Sequence, residues 1–321
     1  MKIFVVGGAG YIGSHMVKLA SLKGYDVITI DNLSTGYMDS VKYGKFEECD
    51  ILDTNKLKKL FVKYKPELVI HFAAFSIVSE SMNEPYKYYN NNVLGTLNLL
   101  KVMIDNNCKK IIFSSTAAVF GNPEYLPIDE KHIKRPINSY GKSKLIIEEI
   151  LSDFEKAYGL RYVILRYFNA CGHDKDGELI EKHNPETHLI PLIMQVVNGK
   201  REKIDIYGMN YNTEDGTCIR DYIHVEDLCE AHLKSIFYLD NMENRSTDFN
   251  LGNNKGFSVL KVIETIKNVT NINFEVKECE PREGDPSILI ASNKKAKEIL
   301  DFVPKYDTIE SIIQTVINYK N

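Results

Sequence analysis

Tyr140 and Lys144 stand four residues apart in Tyr140-Gly141-Lys142-Ser143-Lys144. In a helix that spacing puts a phenol and an ammonium on one face. A lysine cation beside a phenol stabilises phenolate and lowers its pKa toward working pH. Such a pair can take a proton from a substrate hydroxyl while hydride leaves the same carbon. Lys142, two residues from Tyr140, points elsewhere. Upstream, Ser114-Ser115-Thr116 supplies a cluster of hydroxyls, and Thr116 is expected to donate or relay a hydrogen bond to the reacting oxygen. Tyrosine and lysine at this spacing also occur on solvated helices, so the chemistry depends on what surrounds them.

The surroundings begin at residue 7. Gly8, Gly10 and Gly13 satisfy G-x-G-x-x-G, and Gly7, Gly10 and Gly13 satisfy G-x-x-G-x-x-G. The glycines permit a tight turn, close approach of backbone to a pyrophosphate, and close packing of helix on strand. The helix that follows offers free N–H groups and the positive end of its dipole to phosphates. Asp31 falls about twenty residues on, at the end of the second strand, where a carboxylate accepts hydrogen bonds from a ribose hydroxyl. An anion there repels a 2′-phosphate, so the expected cofactor is NAD rather than NADP.

The elements that must position these groups alternate along the first half of the chain. Lys2–Val6, Asp26–Ile30, Leu68–Phe72, Lys110–Ser114 and Tyr162–Arg166 read as strands, rich in Val, Ile and Phe without clean alternation, as strands covered on both faces are. Helices are predicted at Tyr11–Lys23, Thr54–Tyr64 and roughly Ser139–Tyr158. Another follows Pro85, with Tyr86, Tyr89, Val93, Leu97, Leu100 and Ile104 as its apolar stripe. The pattern predicts an α/β fold, a doubly wound parallel Rossmann sheet over residues 1–168. A smaller mixed α/β lobe is predicted over 169–321, with some segments crossing back to the sheet and a cleft between the lobes.

Bulk properties exclude other classes. The 321 residues carry a net charge of −4, so nucleic acid is not an expected partner. The six cysteines, at 49, 108, 171, 218, 229 and 279, form no C-x-x-C pair or zinc-ligand spacing, so reduced thiols and no metal are expected. No stretch approaches the length of a membrane span, and the N-terminus lacks a signal-peptide core. A cytoplasmic protein is the expectation.

The ordered motifs resemble the extended short-chain dehydrogenases/reductases, and among them the UDP-glucose 4-epimerases. GGAGYIGSH at 7–15, DNLSTG at 31–36, VIHFAA at 69–74, YYNNNVLGT at 88–96, FSSTAAVFG at 113–121, YGKSK at 140–144, LRYFNACG at 165–172, TEDGTCIRDYIHVEDL at 213–228 and REGD at 282–285 carry the resemblance. It implies NAD contacts at Tyr11, Ile12, the segment Asp31, Asn32, Leu33, Ser34, Thr35 and Gly36, and at Asp50 and Ile51. Further contacts are implied at Phe72, Ala73, Ala74, Phe75, Ser76, Asn91, Thr116 and Phe168, with Tyr140 the base and Lys144 on the nicotinamide ribose. Asn169, His188, Tyr207, Arg220, Arg282 and Asp285 are implied around a UDP-sugar, whose hydroxyl also meets Thr116 and Tyr140. Guanidinium forks suit a diphosphate, and Tyr207 suits stacking on uracil.

The reaction so implied is interconversion of UDP-galactose and UDP-glucose by transient oxidation at the sugar C4. A 4,6-dehydratase is disfavoured, because Thr116 is followed by Ala117-Ala118 rather than by an acidic pair. Leu289 falls where some members place a tyrosine, which leaves room for UDP-N-acetyl sugars. A non-catalytic NAD-binding regulator is the alternative of a different class, opposed by the joint presence of Tyr140, Lys144 and Thr116. The helices after Pro85 and around Ser139 resemble those that pair in family dimers, so a homodimer is expected.

Overall fold

The structure is a computed structural model and describes residues 1–282 and 286–318. Six strands, β1 (Lys2–Val6), β2 (Asp26–Asp31), β3 (Lys45–Glu48), β4 (Leu68–His71), β5 (Lys110–Thr116) and β6 (Arg161–Tyr167), join the strand Thr247–Leu251 in one sheet. From that last strand the order runs β6, β5, β4, β1, β2, β3. Every pairing is parallel. The order reverses between β1 and β4, where doubly wound sheets open a crevice at the carboxyl ends of their strands.

Alternate residues of β1 feed opposite cores. Ile3 and Val5 pack with Met16, Val17 and the apolar face of helix Val225–Asp240. Phe4 and Val6 pack with Leu57, Leu99, Ile147 and Leu151 on the other side. Both faces are covered, which is why these strands read as unbroken apolar runs. A third cluster, built on Ile190, Ile193, Ile204, Ile206, Val262 and Ile312, forms a separate layer nearer the C-terminus.

Helix Ser139–Tyr158 has its predicted bounds. The Asn138 side chain accepts from the Gly141 N–H at 2.7 Å, and Gly159 closes the helix at a φ of +68°. Gly141 is obligatory for position, since a Cβ there would lie 2.4 Å from the carbonyl oxygen of Ala118. The helix thereby settles against the end of β5.

Three features differ from expectation. β3 and the strand Thr247–Leu251 complete the sheet although neither reads as an apolar run; the second is a segment of the later half crossing back to the sheet, as expected, at a position the pattern did not mark. The segment after Pro85 is not one helix: Pro85–Tyr88 and Gly95–Asp105 flank a π-helical stretch, Tyr89–Leu94. The predicted stripe holds only in its second half: Leu100 is buried and Ile104 packs against the core, while Tyr86 is 80% exposed and Leu97 exposed, with Tyr88, Asn92 and Leu99 buried beside them.

Candidate active site

The glycine turn closes on the loop after β4. Gly7 has a φ of +83°, and a Cβ on it would lie 2.4 Å from the Ala73 nitrogen; a Cβ on Gly13 would lie 2.1 Å from the Gly7 carbonyl oxygen. Gly10 is the N-cap of helix Tyr11–Leu22 and provides no side-chain cap, so first-turn N–H groups are left for an outside acceptor. Asp31 is buried. Its two oxygens accept from the N–H groups of Ala9 at 3.0 Å and Leu33 at 2.8 Å, which fixes the carboxylate at the rim of the turn. Burial pushes its pKa up, against the backbone bonds from Leu33, Ala9 and Asn32. A backbone cradle that side chains would fill, an uncapped helix start and an acceptor at the rim fit a dinucleotide.

Around this cradle, Asn32 donates to Asp50 at 2.8 Å, and Asp50 also accepts from the Leu52 N–H at 2.7 Å. Ser34, Thr35 and Ser76 are exposed, and Gly36 lies against Ala9. Ile51 packs under Gly95, Ile12 against the core of the Tyr11–Leu22 side, and Phe72 against His232 at 4.8 Å. Ala74 is partly buried. The Tyr11 hydroxyl donates to the Gly172 carbonyl at 2.6 Å.

Asn92, which the sequence reading did not single out, ties this loop to the reactive helix. It exchanges hydrogen bonds of 3.0 Å with the Phe75 backbone, donates to the Ser143 hydroxyl at 3.1 Å, and accepts from Asn91 at 3.0 Å.

Tyr140 and Thr116 meet at the end of β5. Burial pushes the Tyr140 phenol up to about 12, and the Thr116 hydroxyl, hydrogen-bonding it, draws it back down. Lys144 is buried. Its Nζ donates to the Ser114 carbonyl at 2.8 Å and lies 4.8 Å over the Phe113 ring. Burial lowers Lys144 to about 7, opposed by the carboxylate of Glu148 one turn further on. Burial outweighs any lowering of the phenol by Lys144, whose own charge burial weakens. Phe168 packs on Val119, Phe120 and Ile128 together with Leu289.

Glu148 anchors the helix by a buried ionic network. Arg166 donates to both its oxygens at 2.8 Å and to Asp248 at 2.7 Å, and Ser115 donates to it at 2.6 Å. The residue beside Thr116 is thus locked to the turn beyond Lys144.

A second recess, a cavity of about 370 Å³, opens beside the third core cluster. Asn169, His188, Tyr207, Arg220 and Arg282 all line it, along with Glu181, Glu186 and Arg201. The Arg282 guanidinium stacks 4.1 Å from the centre of the Tyr207 ring, and Arg220 is buried. Asp285 lies outside the described residues. Tyr140, Lys144 and Thr116 are not among the residues lining this cavity. Glu181 and Glu186 were missed in the sequence, where acidic residues in a loop carry no period.

Among known proteins, the profile of the NAD dependent epimerase/dehydratase family matches residues 3–252, and the chain belongs to that family. It is 47% identical to the UDP-glucose 4-epimerase of Halalkalibacterium halodurans, over 99% of this chain and 95% of that one. The crystal structure of UDP-glucose 4-epimerase from Brucella ovis in complex with NAD superposes with a TM-score of 0.95 at 47% identity, covering 98% of this chain and 96% of that one. The UDP-Glc/GlcNAc 4-epimerase of Campylobacter jejuni follows with a TM-score of 0.86 at 41% identity, over 99% and 98%.

Proposed function

We propose that the protein interconverts UDP-galactose and UDP-glucose, with NAD as a resident cofactor. The observation that carries the reading is the meeting of two features at one edge of the sheet. A glycine cradle closes on Ala73 after β1 and β4, and the Tyr140–Thr116 pair stands after β5, where doubly wound folds bind dinucleotides.

Gly7, Gly10 and Gly13 with the start of helix Tyr11–Leu22 would hold the pyrophosphate of NAD. Asp31 would take the adenine ribose, with Asn32 to Gly36, Asp50 and Ile51 around the base. Bound NAD would supply a reversible hydride acceptor for the sugar C4, with no net redox change. Tyr140 holds the proton of the sugar 4-hydroxyl between the two half-reactions, and Thr116 orients it. Lys144, held at the Ser114 carbonyl, would bind the nicotinamide ribose and favour the phenolate of Tyr140. Arg220 and Arg282 clamp the diphosphate while the sugar turns over, and Asn169, His188 and Tyr207 complete the nucleotide side. Phe168 would pack by the nicotinamide.

Leu289 supports acceptance of UDP-N-acetyl sugars as well. It is a medium-sized side chain in register with Arg220 and packs beside Phe168, where a larger one would crowd the sugar. Among the described residues no helix is long and apolar enough to cross a membrane. Exposed Leu94, Leu97 and Tyr158, on the segments after Pro85 and Ser139, support a homodimer, to be read by light scattering.

The test is Tyr140→Phe, assayed with UDP-galactose. A folded protein that retains NAD but turns over about 10²–10⁴-fold more slowly is expected; undiminished turnover contradicts the assignment.

A further inference from the structure

We infer that Glu181, His183, Glu186 and His188 bind one divalent transition-metal ion, with Zn²⁺ the best match, at the edge of the 370 Å³ cavity, which three of them line. The cysteine spacing gave no reason to expect a metal, and this site uses no cysteine. Its ligands come from a single eight-residue run, E-x-H-x-x-E-x-H.

The four side chains converge on one point. One ligand atom from each lies within 4.8 Å of all the others. His183 Nδ1 is 3.6 Å from Glu181 Oε1 and 3.4 Å from Glu186 Oε2; His188 Nδ1 is 3.3 Å from Glu181 Oε1 and 2.9 Å from Glu186 Oε1. A tetrahedral zinc with bonds of about 2.0–2.2 Å sets its ligands about 3.4 Å apart. The cluster needs only small adjustments to reach that geometry.

The simpler reading is a hydrogen-bonded group of histidines and carboxylates. It accounts for Glu186, which takes the His188 ring N–H. It does not account for Glu181. That side chain is 2% exposed, and among the described residues its Oε1 receives no hydrogen bond. A buried oxygen without a hydrogen-bond donor is costly, and a metal ion at this point would satisfy it. Two imidazoles and two carboxylates make a borderline donor set that suits zinc, cobalt or iron better than calcium or magnesium, which prefer oxygen alone. His183 and His188 are partly exposed, at 29% and 44%, which gives an ion an entry path from the cleft.

Because Glu181, Glu186 and His188 share the cavity wall with Arg220 and Arg282, the ion would fix the ligand loop against the surface assigned to the diphosphate. The metal site stands on its own geometry, whether or not the cavity takes a nucleotide sugar.

The test treats the full-length protein with EDTA, removes the chelator, and titrates it with ZnCl₂ by calorimetry and with CoCl₂ by visible absorption. One equivalent of Zn²⁺ per chain and the strong visible bands of four-coordinate Co²⁺, displaced by Zn²⁺, are expected. His183→Ala and Glu181→Gln, each folded by circular dichroism, are expected to weaken Zn²⁺ binding by at least about tenfold. Absence of uptake by the unaltered protein, a weak six-coordinate cobalt spectrum, or unchanged affinity in a folded variant overturns the proposal. The cobalt spectrum of the unaltered protein decides the matter even if a variant does not fold. The readout is metal uptake, so its failure leaves the epimerase reading standing, and loss of epimerase activity does not bear on it.

Discussion

The ammonium of Lys144 donates to the carbonyl oxygen of Ser114 across 2.8 Å. That single bond pins the reactive helix to β5 two residues before Thr116. It also places a cation where burial strips its water away. The result is a lysine whose charge is negotiable near neutral pH, next to a phenol whose pKa burial raises.

This arrangement has a measurable effect on stability. The folded pKa of Lys144 is lowered from 10.5 to about 7, so between those values the unfolded chain binds a proton that the folded chain does not. Below pH 7 both forms are charged and the full penalty of burying the cation applies. As pH rises from 7 toward 10.5 that penalty is relieved, at no more than about 1.4 kcal/mol per pH unit for one proton. Urea midpoints of the unaltered protein and Lys144→Met, compared across this range, should show a difference that is flat below pH 7 and shifts in favour of the unaltered protein above it. A difference independent of pH would show that Lys144 is not perturbed.

Gly13→Ala tests the cradle. A Cβ there meets the Gly7 carbonyl oxygen at 2.1 Å, so the turn must open and the first-turn N–H groups must lose their aim. NAD released on denaturation is expected to fall at least about tenfold relative to the unaltered protein, with helical content retained by circular dichroism. Full NAD occupancy would mean that the pyrophosphate lies elsewhere.

Arg166→Ala tests the anchoring network. It leaves Glu148 buried without its bidentate partner and removes one of the cations facing Asp248. Breaking a buried pair in this way costs about 3–5 kcal/mol, to be read from urea denaturation. Turnover should fall as well, because Ser115 and the Lys144 turn share Glu148.

Leu289→Tyr addresses substrate breadth. Added bulk beside Phe168 and Val119 should lower turnover of UDP-N-acetylglucosamine by at least about tenfold while leaving UDP-galactose within about threefold; one methylene-scale clash is worth roughly 1–3 kcal/mol. Equal losses on both substrates would place Leu289 away from the sugar.

The glycine turn and helix Ser139–Tyr158 were legible because their physics is local. A pyrophosphate-binding turn admits few residues other than glycine, and the helix carries both its caps. The strand Thr247–Leu251 was not legible. Asp248 and Asn250 interrupt its apolar pattern; Arg166 and Lys295 meet the first, and the Asn250 side-chain amide nitrogen donates to the Ile128 carbonyl. β3, Lys45–Glu48, is a charged edge whose strand character depends on pairing with β2. The π-helical stretch at Tyr89–Leu94 depends on Asn92 bridging Phe75 and Ser143, a contact across 51 residues that no local period encodes. The cavity residues Arg220, Arg282 and Tyr207 came from resemblance, since isolated arginines in loops carry no signal of their own.

The most direct test is conversion of UDP-galactose to UDP-glucose by the purified protein with no NAD added, followed by denaturation and assay of released nucleotide. Sustained conversion together with about one NAD released per chain is the expected result. Conversion that requires added NAD in proportion to product, or no conversion by protein that carries NAD, would contradict a cofactor that is reduced and reoxidised in place.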